Sequence, residues 1–531
     1  MQDFSNITVN SEDEYDGEFS SLLKTHREFN FSDSVWSWVC LFLGYIFCRA
    51  FPAISKPLYS LIFIVLLYIS TTVMLFFKRA KFGKSAIVIG LSGLLISFSL
   101  FLSGNAVIHA FAFGYAVFAY CYYVCAATEN RLEGGVSSYI LVDFFKATLV
   151  VPFTGAGGII AAMFSQKNNK LGSVIGKVLL GGIIAIIPTA VVFYLLSFDS
   201  GFLHLLGKIF SFNPAYIIGQ VVSIIFAIPT GAYLFRLFAS SFDKSAKKTI
   251  TVEDCKKASE QASVVPVITV FTATIPILFI YVVFFVSQWK YYISGFLGEL
   301  PENINYATYA REGFFQLLTV SAINLVLISA IFLFVKKGNK VGGALIRILN
   351  VIICVFTLIL ISTAISKLVL YIDEHGLTPK RVHAFWFMMV LTLIFIAVIL
   401  KQFIMKIKLI PIAFAVTVAM FFVLSVAGSD ALIAKYNVDR YLEGSLEKIV
   451  VSDLEKLGDA AVPQYIRLEK ELLEREKAVP SDERWEYMQS KDYTLIIELQ
   501  TALDKYKQNY SYDWYETTLP KILAERSIKT D

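Results

Sequence analysis

Apolar residues gather into eleven long runs separated by polar connections, at 35–51, 57–77, 86–102, 105–127, 174–197, 214–238, 264–287, 312–335, 344–370, 385–404 and 409–427. A helix needs roughly 20 residues to cross about 30 Å of hydrocarbon, so this pattern predicts a polytopic transmembrane domain over 35–429. Pro52, Lys56 and Pro57 separate the first two runs so tightly that they read as a helical hairpin. Past residue 429 the pattern changes, and apolar positions recur at helical spacing among Glu and Lys, as in Val462, Tyr465, Ile466, Leu468, Leu472 and Leu473. Pro463 suits a first helical turn, Pro480 to Asp482 opens a further helix, and Lys491 to Tyr506 continues the pattern. The expectation for 430–531 is an extramembrane all-α domain of four to six short helices. Its core is expected from Val462, Ile466, Leu468, Leu472, Leu473, Leu495, Ile497 and Leu499. Tyr510, Tyr512, Trp514 and Tyr515 are left to pack on the outer loops or on a partner.

One apolar stretch, 139–164, interrupts this scheme. It carries Asp143, Lys146, Pro152 and the glycines Gly155, Gly157 and Gly158, so it is expected to lie at the interface or re-enter rather than span. The Asp143/Lys146 spacing suits an interfacial ion pair better than a proton relay, and the glycines suit close packing or a turn better than a nucleotide loop. Residues 198–213 place Phe202, Leu205, Leu206 and Ile209 on one face of a surface helix. Thr251 followed by Asp254 resembles a capping box opening a short solvated helix to Glu260.

Charge then orients the spans. Basic residues cluster after alternate runs: Lys78 to Lys84, Lys167 to Lys177, Arg236 to Lys257, Lys336 to Arg347 and Lys401 to Lys408. Basic connections stay on the cytoplasmic side, which puts the acidic 1–34 tail inside and 430–531 outside the cytoplasm. Residues 1–34 hold two basic against eight acidic side chains and 430–531 fifteen against twenty-one, so the overall net charge of +5 conceals a membrane part that is strongly basic. That charge orients helices. Nucleic acid is not an expected partner, whereas the lipid bilayer is.

Composition agrees: 56% hydrophobic, 15% aromatic and only 17% charged residues, against roughly 25% charged in soluble domains. A soluble enzyme is excluded. Five of the six cysteines, all but Cys255, lie within apolar runs, so neither a disulfide framework nor a zinc site is implied. The sequence contains no GxxxxGK[ST], HExxH, GxSxG or CxxC, and no catalytic residue, cofactor or metal site is expected.

Three spaced motifs resemble a bacterial family of multi-span membrane proteins catalogued as a domain of unknown function. They are Tyr309 to Leu318 (YAREGFFQLL), Tyr371 to Val382 (YIDEHGLTPKRV), and Tyr436 to Tyr441 (YNVDRY) with Asp459 to Pro463 (DAAVP). His375 stands where the resemblance leads us to expect an aromatic residue, usually tyrosine. The resemblance implies a multi-pass protein of the bacterial cytoplasmic membrane with a helical tail, and brings no catalytic residues.

Ionisable and polar groups near apolar surroundings are the remaining candidates. Arg311 and Glu312 open one span, Asn324 lies within it, Lys367 sits in the last turns of the next, and Asp373, Glu374 and Arg381 follow on the outer side. They could form an outer-face polar pocket for a headgroup or a coupling proton, or simply fix helix ends by pairing. Two readings stay open. One is a non-enzymatic envelope scaffold or sensor that meets an envelope protein partner through 430–531; the other is a transporter or lipid-handling protein using the polar cluster. The first is preferred, because a simple carrier has no need of a hundred-residue charged, helix-rich tail.

Overall fold

The computed structural model describes residues 29–531 except 52–54, 136, 155–157, 164–180, 201–213, 243–248, 298–305, 337–339, 511–512, 531 and scattered positions between 183 and 200. Among the described residues ten helices are long and apolar enough to cross a membrane. They are α1 (Phe31–Ala50), α2 (Pro57–Phe77), α3 (Lys84–Leu102), α4 (Ala106–Ala127), α5 (Pro214–Phe242), α7 (Val267–Leu297), α8 (Tyr306–Phe334), α9 (Lys340–His375), α10 (Pro379–Phe403) and α11 (Leu409–Val426). The predicted span 174–197 and surface helix 198–213 fall largely outside the described residues. The described positions of the former, such as Val191, Val192 and Leu195, are helical. The protein is an all-α, multi-span membrane protein.

The membrane helices form two packed groups. In the first, α1, α2, α4 and α5 bury Trp36, Phe63, Tyr120, Phe235 and Phe238 together. Antiparallel α1 and α5 approach closely because Gly44 and Gly231 face each other's backbones: a Cβ on Gly44 would stand 2.5 Å from the Ala227 carbonyl oxygen. In the second, α7 to α10 enclose Leu349, Ile353, Met388 and Phe395. Helix α11 packs on α10 and also on α3, and its Phe414 lies 5.2 Å from Phe144 of the Ile140–Phe145 turn, so that it joins the two. Outward faces carry residues such as Ile69, Phe111 and Ile268, apolar and exposed to what would be lipid.

Residues 139–164 are broken rather than continuous: an α-turn Ile140–Phe145, a π-turn Lys146–Val150, a 3-10 turn Val151–Phe153 and a short helix Ile159–Met163. Lys146 is almost fully buried and its Nζ donates to the Ile250 carbonyl at 3.1 Å. Asp143 accepts the Leu132 N–H at 2.9 Å, and burial lifts its carboxyl to about 6. The short helix α6 (Val252–Ala262) is capped as the spacing predicts. Thr251 Oγ1 accepts the Asp254 N–H at 3.2 Å and Asp254 Oδ2 accepts the Thr251 N–H at 2.9 Å.

Where they are described, the basic connections gather at one end of the bundle. Lys78 pairs with Asp33 at 2.8 Å, Lys81 with Glu129 at 3.4 Å, and Ser263 Oγ donates to the Val335 carbonyl at 2.6 Å. The tail covers the opposite end. It comprises α12 (Ser429–Leu442), α13 (Val462–Ala478), α14 (Lys491–Asn509) and α15 (Leu519–Thr530), with short turns between. Pro480 to Asp482 does not open a long helix; it leads into turns and one helical turn, Arg484–Tyr487. The core includes Val462, Leu468, Leu472, Leu495 and Leu499, with Ile466 and Leu473 half-buried. Ile497 is exposed instead, and Ile496 is buried in its place: two residues beyond Leu495 is about 200° around the helix, whereas Leu495, Ile496, Leu499 and Leu503 share a face.

Candidate functional site at the membrane–tail junction

Helix α9 has 36 residues, about 54 Å of helix against about 30 Å of hydrocarbon, so even a tilted α9 projects from the membrane. Asp373 and Glu374 therefore belong to its last turn, not to a loop. The helix ends at Gly376, whose φ of +72° is the left-handed conformation that closes many helices, and its N–H donates to the Ile372 carbonyl at 2.8 Å. Pro379 then starts α10 behind an extended Thr378, leaving a connection of three residues.

Arg381 staples this turn. Its guanidinium lies 4.1 Å from the centre of the Tyr371 ring, and Nη1 donates to the carbonyls of His375, at 3.0 Å, and Gly376. A cation on the last carbonyls of a helix is favoured by the helix dipole as well as by the ring. Asp373 pairs with Arg440 of α12 at 3.4 Å. Arg440 also donates to Tyr436 Oη at 3.3 Å and, through Nη2, to the Ser445 carbonyl at 3.0 Å.

The central contact is made by Asn437. Its Oδ1 accepts the Leu377 N–H at 2.7 Å and its Nδ2 donates to the Leu377 carbonyl at 2.8 Å, so one carboxamide satisfies both polar groups of one peptide residue. A Cβ on Gly376 would lie 2.6 Å from Asn437 Oδ1, so the approach needs glycine as much as the turn does. Leu377 and Val382 insert their side chains against the tail core. The YIDEHGLTPKRV and YNVDRY motifs are thus two halves of one joint, and the DAAVP motif sits behind it, where Asp459 accepts from Tyr506 Oη at 2.7 Å.

Two further contacts seat the tail. Trp514 packs on Tyr59 at 5.7 Å, and Lys56 lies 5.9 Å from the centre of the Tyr515 ring. Asn105 caps α4 by accepting the Val107 N–H at 3.0 Å, while its Nδ2 donates to Asp430 Oδ1 at 3.3 Å. Asp430 is 5% exposed, and burial raises its carboxyl above the ordinary range. Beside it lies a cavity of about 250 Å³, bounded by Leu102 and Ser103 from the end of α3, Asp430 from α12, Gln464 from α13 and Pro520 from α15.

The other sequence candidates are dispersed. Asn324 lies fully buried between helices, accepting from Tyr281 Oη at 2.6 Å and donating to Thr357 Oγ1 at 2.9 Å, which ties α7, α8 and α9 together. Lys367 is half-buried two turns before the end of α9. Arg311 and Glu312 do not open α8, which begins at Tyr306; their side chains lie outside the described residues. Glu374 is exposed at the joint. Sequence reasoning missed Asn437, Arg440 and the Asn105–Asp430 contact as site residues. The first two stood in a motif whose partner is 60 residues away or more, and no spacing rule links Asn105 to a residue 325 positions on.

The arrangement can hold and position; it groups no nucleophile with a base. Among the described residues no three of His, Cys, Asp and Glu come together as metal ligands. No curated protein and no solved structure matches the chain. A family profile described as Domain of unknown function (DUF4153) matches residues 84–468, which takes in α3 to α12 and the first turns of α13 and contains all three motifs. The chain belongs to that family.

Proposed function

We propose that the protein is a non-enzymatic scaffold or sensor of the bacterial cytoplasmic membrane, whose helices hold the C-terminal helical domain at the extracytoplasmic face for an envelope partner. The two-point clamp of Asn437 on Leu377, reinforced by Leu377 and Val382 in the tail core, carries this reading. Such a joint is an investment in presenting a domain at a fixed position. Its place opposite the basic connections supports the extracytoplasmic assignment under the positive-inside rule. The carrier reading asks for a polar cavity around Glu312, Lys367 and Asn324. Asn324 is instead taken up by Tyr281 and Thr357 in closed helix packing, which favours the scaffold.

The tail offers exposed apolar residues, among them Trp485 and Met488, as a contact surface. Photo-cross-linking from position 485 or 488 of the full-length protein in cells should trap a discrete adduct with an envelope protein. Wild-type phenotype from a chain ending at residue 429 would overturn the proposal.

A further inference from the structure

The Asp430 cavity lies where the ends of α3 and α11 leave the membrane, the depth at which lipid headgroups sit. Deeper along the same two helices is an apolar groove of about 300 Å³, formed by α3, α4 and α11 and lined by Val88, Ile96, Ala419 and Phe422. The hydroxyls of Ser92 and Tyr115 in it are bonded to each other at 2.7 Å, so the groove offers little to a polar guest. On α11 it runs from Pro411 to Phe422, about 16 Å at 1.5 Å per residue, close to the length of an extended acyl chain. From Ile96 to Leu102 the step up to the cavity is about 9 Å.

The cavity itself is polarised. Asp430 brings a carboxylate that is nine-tenths buried and receives Asn105 Nδ2, yet no residue lining the cavity is Lys, Arg or His. Among the described residues no basic side chain forms an ion pair with Asp430. A buried carboxylate without a cation favours a guest that supplies one, and disfavours an anionic headgroup. A primary ammonium adds N–H donors that a quaternary one lacks.

We propose that groove and cavity together form a phospholipid site selective for a primary-amine headgroup, with one acyl chain between α3 and α11 and the ammonium on the Asp430 carboxylate. The lipid would bridge the membrane helices and the tail, since α13 and α15 also wall the cavity. This goes beyond the scaffold reading, which stands or falls by other measurements.

The test is thermal unfolding of the purified full-length protein in mixed micelles containing dioleoyl phosphatidylethanolamine, phosphatidylcholine or phosphatidylglycerol at equal mole fraction. Phosphatidylethanolamine should raise the midpoint by several degrees more than either of the others. Asp430→Asn should erase that difference, and Ala419→Trp, which fills the groove from its lipid-exposed side, should erase it too. Equal shifts with all three lipids in the wild type, or a difference retained in Asp430→Asn, would overturn the proposal. If Asp430→Asn fails to accumulate, Ala419→Trp decides: loss of the difference supports the site and its retention overturns it. An equal shift with water-soluble glycerophosphoethanolamine would also overturn it, because the groove would then have no part.

Discussion

The carboxamide of Asn437 lies against the backbone of Leu377, accepting its N–H at 2.7 Å and donating to its carbonyl at 2.8 Å. One side chain of α12 thereby completes the turn that ends α9, and the membrane domain and tail share a joint of backbone quality.

Asn437→Ala leaves both Leu377 groups without this partner, and the expected cost is at least about 2 kcal/mol, since each unsatisfied, partly buried group costs about 1–3 kcal/mol. Asn437→Asp keeps the acceptor for the Leu377 N–H but sets a carboxylate oxygen against the Leu377 carbonyl, so a loss no smaller than that of alanine is expected. Gly376→Ala forces a left-handed φ on alanine, about 1–2 kcal/mol, and adds the 2.6 Å approach to Asn437. In Asn437→Ala the second contribution disappears, so the double variant should be less destabilised than the sum of the singles. Amide exchange at Leu377 and proteolytic nicking at 376–378 in the full-length protein measure these effects. Additive variants would contradict the contact.

At the basic end, the Asp143 carboxyl is held at about 6, above its ordinary 3.8, by burial. The folded state therefore binds more protons than the unfolded one between about pH 4 and pH 6, and stability from this group falls as pH rises through that window. Asp143→Asn should flatten this fall and give its largest relative stabilisation above pH 6. Thermal unfolding between pH 4.5 and 7.5 checks the sign. A variant less stable than wild type at pH 7.5 but equal at pH 4.5 would contradict it.

The proposed orientation rests on the basic connections and is tested with alkaline phosphatase fusions. A fusion after residue 440 should be active and one after residue 250 inactive. The reverse pattern would turn the whole topology over.

The membrane helices were readable because hydrocarbon demands long apolar runs, and that demand leaves a mark at every residue. The ends were less so. Lys340–His375 extends well past its apolar run 344–370, since a helix continues into water wherever packing on α12 holds its last turn. Tail residues such as Leu468 and Leu472 followed from periodicity, while Ile497 did not, because three consecutive apolar residues, Leu495 to Ile497, leave the buried pair ambiguous. Asp373 and Arg381 were recognisable as polar residues near a membrane face. Their partners in α12 were not, because a tertiary contact across some 60 residues has no local periodicity.

The proposed role requires the tail to be presented in a fixed position on the membrane domain. Spin labels at Glu374→Cys and Glu474→Cys, both exposed positions, report this directly in the reconstituted full-length protein with Cys48 and Cys255 replaced by serine; the other four cysteines are buried. Double electron–electron resonance should give a narrow, single distance distribution that broadens in Asn437→Ala. A broad distribution in the otherwise wild-type chain would contradict a fixed seat for the tail.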